Sequence, residues 1–255
     1  MKIVVAMRQI ADLVEELEVD ASGADIDREF VKFVSNEWDE AALEEALCLK
    51  EAHGGEVVVV GVDDVDFDQT LFGALAKGAD RAVKLSCGFE GWMPTAVRAE
   101  LLARWLKDES FDLVLTGVQA ADDLDGQLAG VLGARLGLPH AAVVVGLEPD
   151  GDGFKVTQEL GGGVTLTSHA TGPLVLGIQA ARQAPRYVPI SRIRQAMSAG
   201  GIEELEVEAP TARAPKVTRL FAPEAKGRAE MLGDKPSEVA ARIVELIRAK
   251  GISVS

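Results

Sequence analysis

The feature that most constrains the fold is an alternation of short apolar runs and helical segments over roughly the first 140 residues. The runs have the length of strands and lie at Ile3–Ala6, Val57–Val60, Ala82–Leu85 and Leu113–Thr116. Strands that alternate with helices form a parallel sheet covered by helices on both faces. The sequence therefore predicts an α/β fold with a mostly parallel sheet flanked by helices.

The predicted helices follow from apolar residues at helical spacing, and glycines end several of them. They are Asp39–Ala52, Asp68–Lys77, Thr95–Lys107 and Asp123–Leu136.

Beyond residue 140 the pattern changes to consecutive short strands. Ala141–Leu147, Phe154–Glu159 and Val164–Ser168 are separated by glycine-rich turns, which predicts an antiparallel meander beside the parallel sheet. Leu174–Ile178 predicts one more buried strand, and the polar segment Gln179–Gly200 follows it.

Charge divides the chain near residue 208. Residues 209–255 hold 9 basic and 5 acidic side chains, whereas residues 1–208 hold 17 basic and 36 acidic ones. Ser237–Lys250 has one apolar stripe and predicts a helix at the end of this arm. That helix either packs on its own domain or docks on a different chain. We therefore predict an α/β domain over residues 1–208 and a C-terminal arm over residues 209–255.

Composition excludes several classes of partner. The formal net charge of −15 disfavours a nucleic acid or an anionic membrane surface. No apolar run is long enough to span a bilayer. Cys48 and Cys87 are far apart and predict buried free thiols. The chain runs from its first residues straight into a strand pattern, so we expect a cytoplasmic protein.

Catalytic motifs are scarce. The three histidines are scattered, and neither a metal-binding pair nor a nucleophile elbow is present. The sequence thus predicts no catalytic residue and no metal site.

The most informative segment is Leu113–Leu128, LVLTGVQAADDLDGQL, which predicts a strand, a polar loop and a helix. Ligands of parallel sheets bind at the carboxyl ends of the strands, and helix N-termini bind phosphates. Without a Walker A or GxGxxG motif, a nucleotide triphosphatase or a nicotinamide site is disfavoured. The alternative is a solvated helix start capped by aspartate. Asn36, ahead of the first long helix, could cap it or present its amide to a base.

Five stretches in order carry a family resemblance. They are VVAMRQIAD, SNEWDEAALEEALCLKE, AKGADRAV, LVLTGVQAADD followed by GQLAG, and APRYVPISRIRQA. With them, the chain resembles the β subunit of electron transfer flavoprotein along nearly its whole length. The resemblance implies a Rossmann-like fold and a heterodimer in which the α subunit holds the redox-active FAD. It also implies an AMP in the β subunit, which a minority branch of bifurcating flavoproteins replaces with a second FAD.

The resemblance also implies site residues. The nucleotide contacts fall on two groups, one before the central loop and one within it. These are Ala6, Asn36, Glu37, Trp38, Asp39 and Val62, and then Gly117, Val118, Gln119, Ala120, Ala121, Asp122, Asp123, Leu124, Asp125, Gly126, Gln127 and Leu128. The segment that docks dehydrogenases falls on Pro185–Arg194, with Pro185, Arg186, Tyr187 and Ile190 as contacts.

The chain departs from the family pattern at five positions. Val118 replaces a basic residue, Gly126 an Asn or Ala, and Leu128 a hydroxyl residue, so three side-chain contacts to phosphate are lost. Glu37 replaces a proline and Leu13 an aromatic residue near the redox flavin. Backbone N–H donors survive these changes, so we still expect nucleotide binding.

Two other functions fit the same predicted sheet. One is a stand-alone adenine-nucleotide-binding regulatory domain of the stress-protein type, which the basic arm and the Pro185–Arg194 segment argue against. The other is an ATP-using ligase of related fold, which lacks a glycine signature for phosphate.

Overall fold

The computed structural model describes residues 1–29, 31–89, 91–123, 126–208, 210–211, 215–222 and 231–252. The chain divides into two compact units, Met1–Leu220 and Phe221–Ser255. None of the described helices is long and apolar enough to cross a membrane.

The described strands of the first unit form one large sheet and one small one. The strands of the large sheet are β1 Lys2–Ala6, β4 Glu56–Val62, β5 Arg81–Ser86, β6 Leu113–Gly117, β7 His140–Asp150, β8 Gly153–Gly161, β9 Val164–Thr171, β10 Leu174–Ile178 and β11 Ile202–Glu206. Their order is β11-β5-β4-β1-β6-β10-β7-β8-β9. All neighbours are parallel except β7 with β8 and β8 with β9, so the predicted meander is confirmed. The small sheet pairs β2 Gln9–Ala11 with β3 Phe33–Ser35.

Helices cover both faces of the large sheet. They are α1 Glu37–His53, α2 Phe67–Lys77, α3 Thr95–Leu106, α4 Leu128–Leu136 and α5 Ile190–Ala199, with α6 Pro236–Ala249 in the second unit. Alternate residues of a strand point to opposite faces. Val5, Val59 and Leu115 therefore pack under α1 and α2, while Val4 and Val58 pack under α3 and α4. The predicted α/β fold is confirmed.

Two sequence predictions on secondary structure are corrected, and one small sheet was not predicted. α4 begins at Leu128 and not at Asp123, because Asp122 and Asp123 belong to the connecting loop. The polar segment Gln179–Gly200 ends in α5, and β11 after it pairs with β5 at the sheet edge. The small β2–β3 sheet had no predicted counterpart, since its strands have only three residues each. Both cysteines are free, as predicted, but only Cys48 is buried; Cys87 is half-buried, so the prediction of its burial is wrong.

The strand order creates a ligand crevice. β1 pairs with β4 on one side and with β6 on the other, so the chain reverses its direction of winding at β1. Ala6, the last residue of β1, lies beside Thr116 of β6. In parallel sheets such a switch point opens a crevice at the carboxyl ends of the strands.

Candidate functional site

A buried carboxylate joins the start of α1 to the end of β6. Asp39 Oδ1 accepts a hydrogen bond of 2.8 Å from Gly117 N, and Oδ2 accepts one of 3.0 Å from Arg8 N. Burial raises the pKa of Asp39 to about 6, although the Arg8 guanidinium and these hydrogen bonds lower it. Gly117 is needed for this approach, since a Cβ there would lie 2.5 Å from Asp39 Oδ1.

Asn36 joins the same two segments. It occupies the N-cap position of α1, but its side chain makes no capping hydrogen bond. Its Nδ2 instead donates to the Gln119 carbonyl over 2.9 Å, and it is fully buried. The hypothesis that the Asn36 side chain caps α1 is therefore wrong. The amide nitrogen bonds to the loop after β6, and the amide oxygen Oδ1 has no hydrogen bond among the described residues.

Arg8, which the sequence analysis missed, organises the central loop. Its Nη2 donates to Asp123 Oδ2 over 2.7 Å, and Thr95 Oγ1 donates to Asp123 Oδ1 over 2.6 Å. The neighbouring Asp122 carbonyl accepts a hydrogen bond of 2.8 Å from Trp92 Nε1. The loop after β6 is thus tied to the end of β1 and to α3. Arg8 lies two residues after the end of β1, and no spacing in the sequence distinguishes it.

Arg98 of α3 is a second buried arginine at this edge. Only 5% of it is exposed, its Nε has no hydrogen-bond partner among the described residues, and Asp122, Asp64 and Asp39 lie near enough to act on its charge. Burial lowers its pKa, and the nearby Arg8 guanidinium lowers it further. Arg98 borders Ala6, Val62 and Leu128 so closely that no space for a water molecule is left between them. With Asp39, which borders the same closed space, four predicted ligand residues therefore lie around Arg98.

Unsatisfied polar atoms concentrate at this edge. Among the described residues, five buried side-chain atoms lack a hydrogen-bond partner, and all belong to residues of this cluster or next to it. They are Nε of Arg8, Oε1 of Gln9, Oδ1 of Asn36, Nε of Arg98 and Oδ1 of Asp122. Buried polar atoms in proteins are nearly always satisfied by protein, water or ligand. The cluster therefore fits a polar ligand.

A cavity of about 240 Å³ adjoins the cluster on the side of the small sheet. Gln9 and Asp122, each with an unsatisfied oxygen, line it together with the apolar side chains of Leu13, Phe33 and Trp92. The open space at this edge therefore lies beside the Arg8 cluster, while the space around Arg98 is closed.

The remaining predicted contacts are distributed unevenly around the cluster. Ala120 is buried and Trp38 and Gly126 are half-buried, whereas Glu37, Ala121 and Gln127 are exposed. Val118 is half-buried and its N–H donates to the Ile178 carbonyl of β10. Leu124 and Asp125 lie outside the described residues.

Comparison with known proteins identifies the family to which the chain belongs. The family model of the electron transfer flavoprotein domain matches residues 25–210. A protein from Methylophilus methylotrophus, named electron transfer flavoprotein subunit beta, is 36% identical over 97% of this chain and 98% of its own. The chain belongs to the electron transfer flavoprotein β-subunit family. Proteins of the same name from Bradyrhizobium diazoefficiens and Bacillus subtilis are 34% and 30% identical over 77% and 98% of this chain, and over 78% and 98% of their own.

In this member of the electron transfer flavoprotein family, the predicted docking segment is clamped to α1. Arg186 pairs with Glu44 at 2.9 Å and with Glu51 at 2.6 Å, and Arg182 pairs with Glu45 at 2.6 Å. Burial alone would raise the pKa of Glu44, but hydrogen bonds from Arg186 and Gln183 lower it to about 2. The Arg186 side chain is therefore engaged within the subunit.

Three of the predicted contacts in that segment are exposed, although Val188 between them is buried. Pro185 is exposed, Tyr187 is 84% exposed, and Ile190, the first residue of α5, is 64% exposed. The ion pairs with α1 hold the backbone of the segment in place. These apolar side chains are therefore available for contact with another molecule.

Proposed function

We propose that this β subunit pairs with an FAD-bearing α subunit as a simple electron shuttle and holds an AMP at the carboxyl edge of its sheet. The flavin of the α subunit would take electrons from dehydrogenases and pass them to an acceptor. The β subunit contributes no reacting group of its own in this proposal. Its residues bind the nucleotide, hold the central loop in place and present the docking segment.

The observation that carries the nucleotide proposal is the group of five unsatisfied polar atoms at one sheet edge. They include donors on Arg8 and Arg98 and acceptors on Gln9, Asn36 and Asp122, which suit a ligand with both phosphate and base or ribose groups. The residues present therefore fit a nucleotide. Since no space remains around Arg98, a ligand between Ala6, Val62 and Leu128 requires the Arg98 side chain to move.

Dehydrogenase docking at the Pro185–Arg194 segment is part of the same proposal. Its support is the exposure of Tyr187 and Ile190 on a segment that ion pairs anchor to α1. Exposed apolar side chains on a held backbone bury surface on binding at little cost in conformational entropy.

The deciding experiment counts nucleotides. The chain is produced with its α subunit, the complex is purified and denatured, and the released AMP and FAD are quantified by chromatography. We expect one FAD and one AMP per heterodimer. Two FAD and no AMP per heterodimer would contradict the simple shuttle and indicate a bifurcating carrier. One FAD and no AMP per heterodimer would overturn the nucleotide site. Failure to form any flavin-containing complex would overturn the carrier function.

A further inference from the structure

We propose that the Arg98 side chain occupies part of the nucleotide site itself, so that a nucleotide binds only after this side chain has swung aside. The inference rests on the nucleotide site proposed above and concerns the control of that same site. Arg98 lies on α3, outside all of the segments that the sequence predicted to hold the ligand. Its expected effect is to lower the affinity of the chain for nucleotides.

Arg98 lies where the carboxyl edge of the sheet meets two helices. It is close to the start of α3, which begins at Thr95. Around it lie Ala6 at the end of β1, Val62 at the end of β4 and Leu128 at the start of α4. The resemblance assigns all three to the nucleotide. Since Arg98 is only 5% exposed, its side chain lies among these residues and not in solvent.

The space that Arg98 shares with these residues is closed. No water molecule fits into it, and a purine base is far larger than a water molecule. Protein interiors are close-packed, so a ligand enters such a space only if a side chain leaves it. Of the two arginines that border the space, Arg8 is held by its hydrogen bond to Asp123, whereas Nε of Arg98 has no partner among the described residues. Arg98 is therefore the arginine that can leave.

The side chains around this space suit a base better than a phosphate. Four apolar side chains border it, those of Ala6, Val62, Leu102 and Leu128. Apolar side chains pack against the faces of an aromatic base, whereas a phosphate needs hydrogen-bond donors or cations. Arg98 therefore competes with the base of the nucleotide, and this competition is the same for ligands with and without a phosphate.

A displaced Arg98 side chain has carboxylates to move towards. Asp122 and Asp64 act as nearby anions on its charge, and both line the cavity of about 240 Å³ beside the Arg8 cluster. Asp122 Oδ1 has no hydrogen bond among the described residues. The like charge of Arg8 acts against Arg98 where it lies. An ion pair between Arg98 and Asp122 would therefore offset part of the cost of displacement.

The departures in the central loop also bear on the affinity of the site. Val118 and Leu128 stand where the resemblance led us to expect a basic and a hydroxyl side chain, so fewer side chains hold the phosphate. A ligand that binds only one of two conformations has its apparent affinity reduced by the fraction of molecules in that conformation. The wild-type chain is therefore expected to bind nucleotides weakly, because its site is closed and its phosphate contacts are few.

The test is isothermal titration of the full chain, freed of co-purified nucleotide, with AMP and with adenosine. Arg98→Ala removes the side chain that closes the site and is expected to raise the affinity for AMP by about tenfold or more. The affinity for adenosine is expected to rise by the same factor, because both ligands carry the base. Arg98→Val also shortens the side chain, keeps more of the apolar packing and is expected to have the same effect if Arg98→Ala does not fold.

Two control variants separate the space that Arg98 takes from its charge. Arg98→Met removes the charge but keeps a long side chain in the site, so both affinities are expected to stay within about threefold of the wild type. Arg135→Ala removes an exposed arginine from α4 and is expected to leave both affinities unchanged.

The outcomes distinguish this inference from the proposed function. If the short variants bind both ligands no more tightly than the wild type, or if Arg98→Met gains as much affinity as Arg98→Ala, the inference is overturned and the nucleotide site stands. If the wild type binds neither ligand and Arg98→Ala binds both, the inference stands and the proposal of an AMP in the wild-type subunit falls. If no variant binds either ligand, the nucleotide site is overturned, and the inference falls with it.

Discussion

At the scale of single residues, the site is a set of buried charges whose partners lie far apart in the chain. Asp39 is neutralised in part by Arg8 and by two backbone donors, and Asp123 by Arg8 and Thr95. Each of these contacts joins segments that are at least 28 residues apart in the sequence. Motif analysis identified the acidic residues and Asn36 but not Arg8 or Arg98, because an isolated arginine in a strand end or a helix has no distinctive spacing.

The raised pKa of Asp39 leads to a prediction on pH and stability. The folded pKa is about 6, above the ordinary value of 3.8, so the folded chain keeps a proton that the unfolded chain releases between these values. Protonation therefore stabilises the fold as the pH falls through this range. The free energy of unfolding of the wild type, relative to Asp39→Asn, is expected to rise by about 2 to 3 kcal/mol between about pH 6 and about pH 4.

Urea unfolding at several pH values measures this difference. Asp80→Asn serves as the matched control, because Asp80 is an exposed carboxylate on the same unit, whereas Asp39 is buried. A difference between wild type and Asp39→Asn that stays constant over the same range would contradict the assignment.

At the scale of elements, each part of the site is supplied by the end of a helix or strand. β1 and β6 end side by side, α1 begins at Glu37, and α4 begins at Leu128 close to Arg98 of α3. α5 packs against α2 and begins with Ile190, within the docking segment and shortly after Arg186. Since Arg182 and Arg186 anchor that segment to α1, the exposed start of α5 has a defined position for docking.

This arrangement predicts that Ile190→Ala slows electron transfer from a dehydrogenase to the heterodimer by about tenfold or more at subsaturating concentrations. The side chain is 64% exposed, so its truncation is expected to leave the free energy of unfolding nearly unchanged. Stopped-flow reduction of the α-subunit flavin by a dehydrogenase that serves the complex measures the effect.

Met197→Ala is the control, because Met197 lies on the same helix and is 48% exposed. Equal rates for Ile190→Ala and the wild type would remove Ile190 from the docking surface.

At the scale of the whole molecule, the chain consists of an acidic α/β unit and a short C-terminal unit. The arm predicted to begin at residue 209 starts within the first unit, where Thr211 bonds to Glu100 and Leu220 N donates to the Gly23 carbonyl. The second unit begins at Phe221, and its helix α6 has no buried residue, with Ile243 44% and Leu246 36% exposed. An exposed apolar stripe on a helix needs a surface to cover it. We propose that the α subunit supplies that surface.

Removal of residues 221–255 is therefore expected to weaken binding of the α subunit by about tenfold or more, with circular dichroism of the first unit preserved. The double variant Ile243→Ser, Leu246→Ser is expected to reproduce the loss, because it removes only the apolar stripe. Analytical ultracentrifugation of the mixed subunits measures the affinity. The same affinity for the truncated and full chains would contradict the proposal that α6 docks on the α subunit.

The amino-acid sequence by itself determined the order of the longer strands and of the helices other than α5, because period-two and helical patterns of apolar residues depend on local geometry alone. It also determined the family, since five motifs in order carry that information. Only the tertiary structure decided that α4 starts at Leu128, that β11 closes the sheet edge, and that Arg8 and Arg98 lie inside the crevice. Those features depend on which distant segments come together, where burial and pairing of charge outweigh local preference.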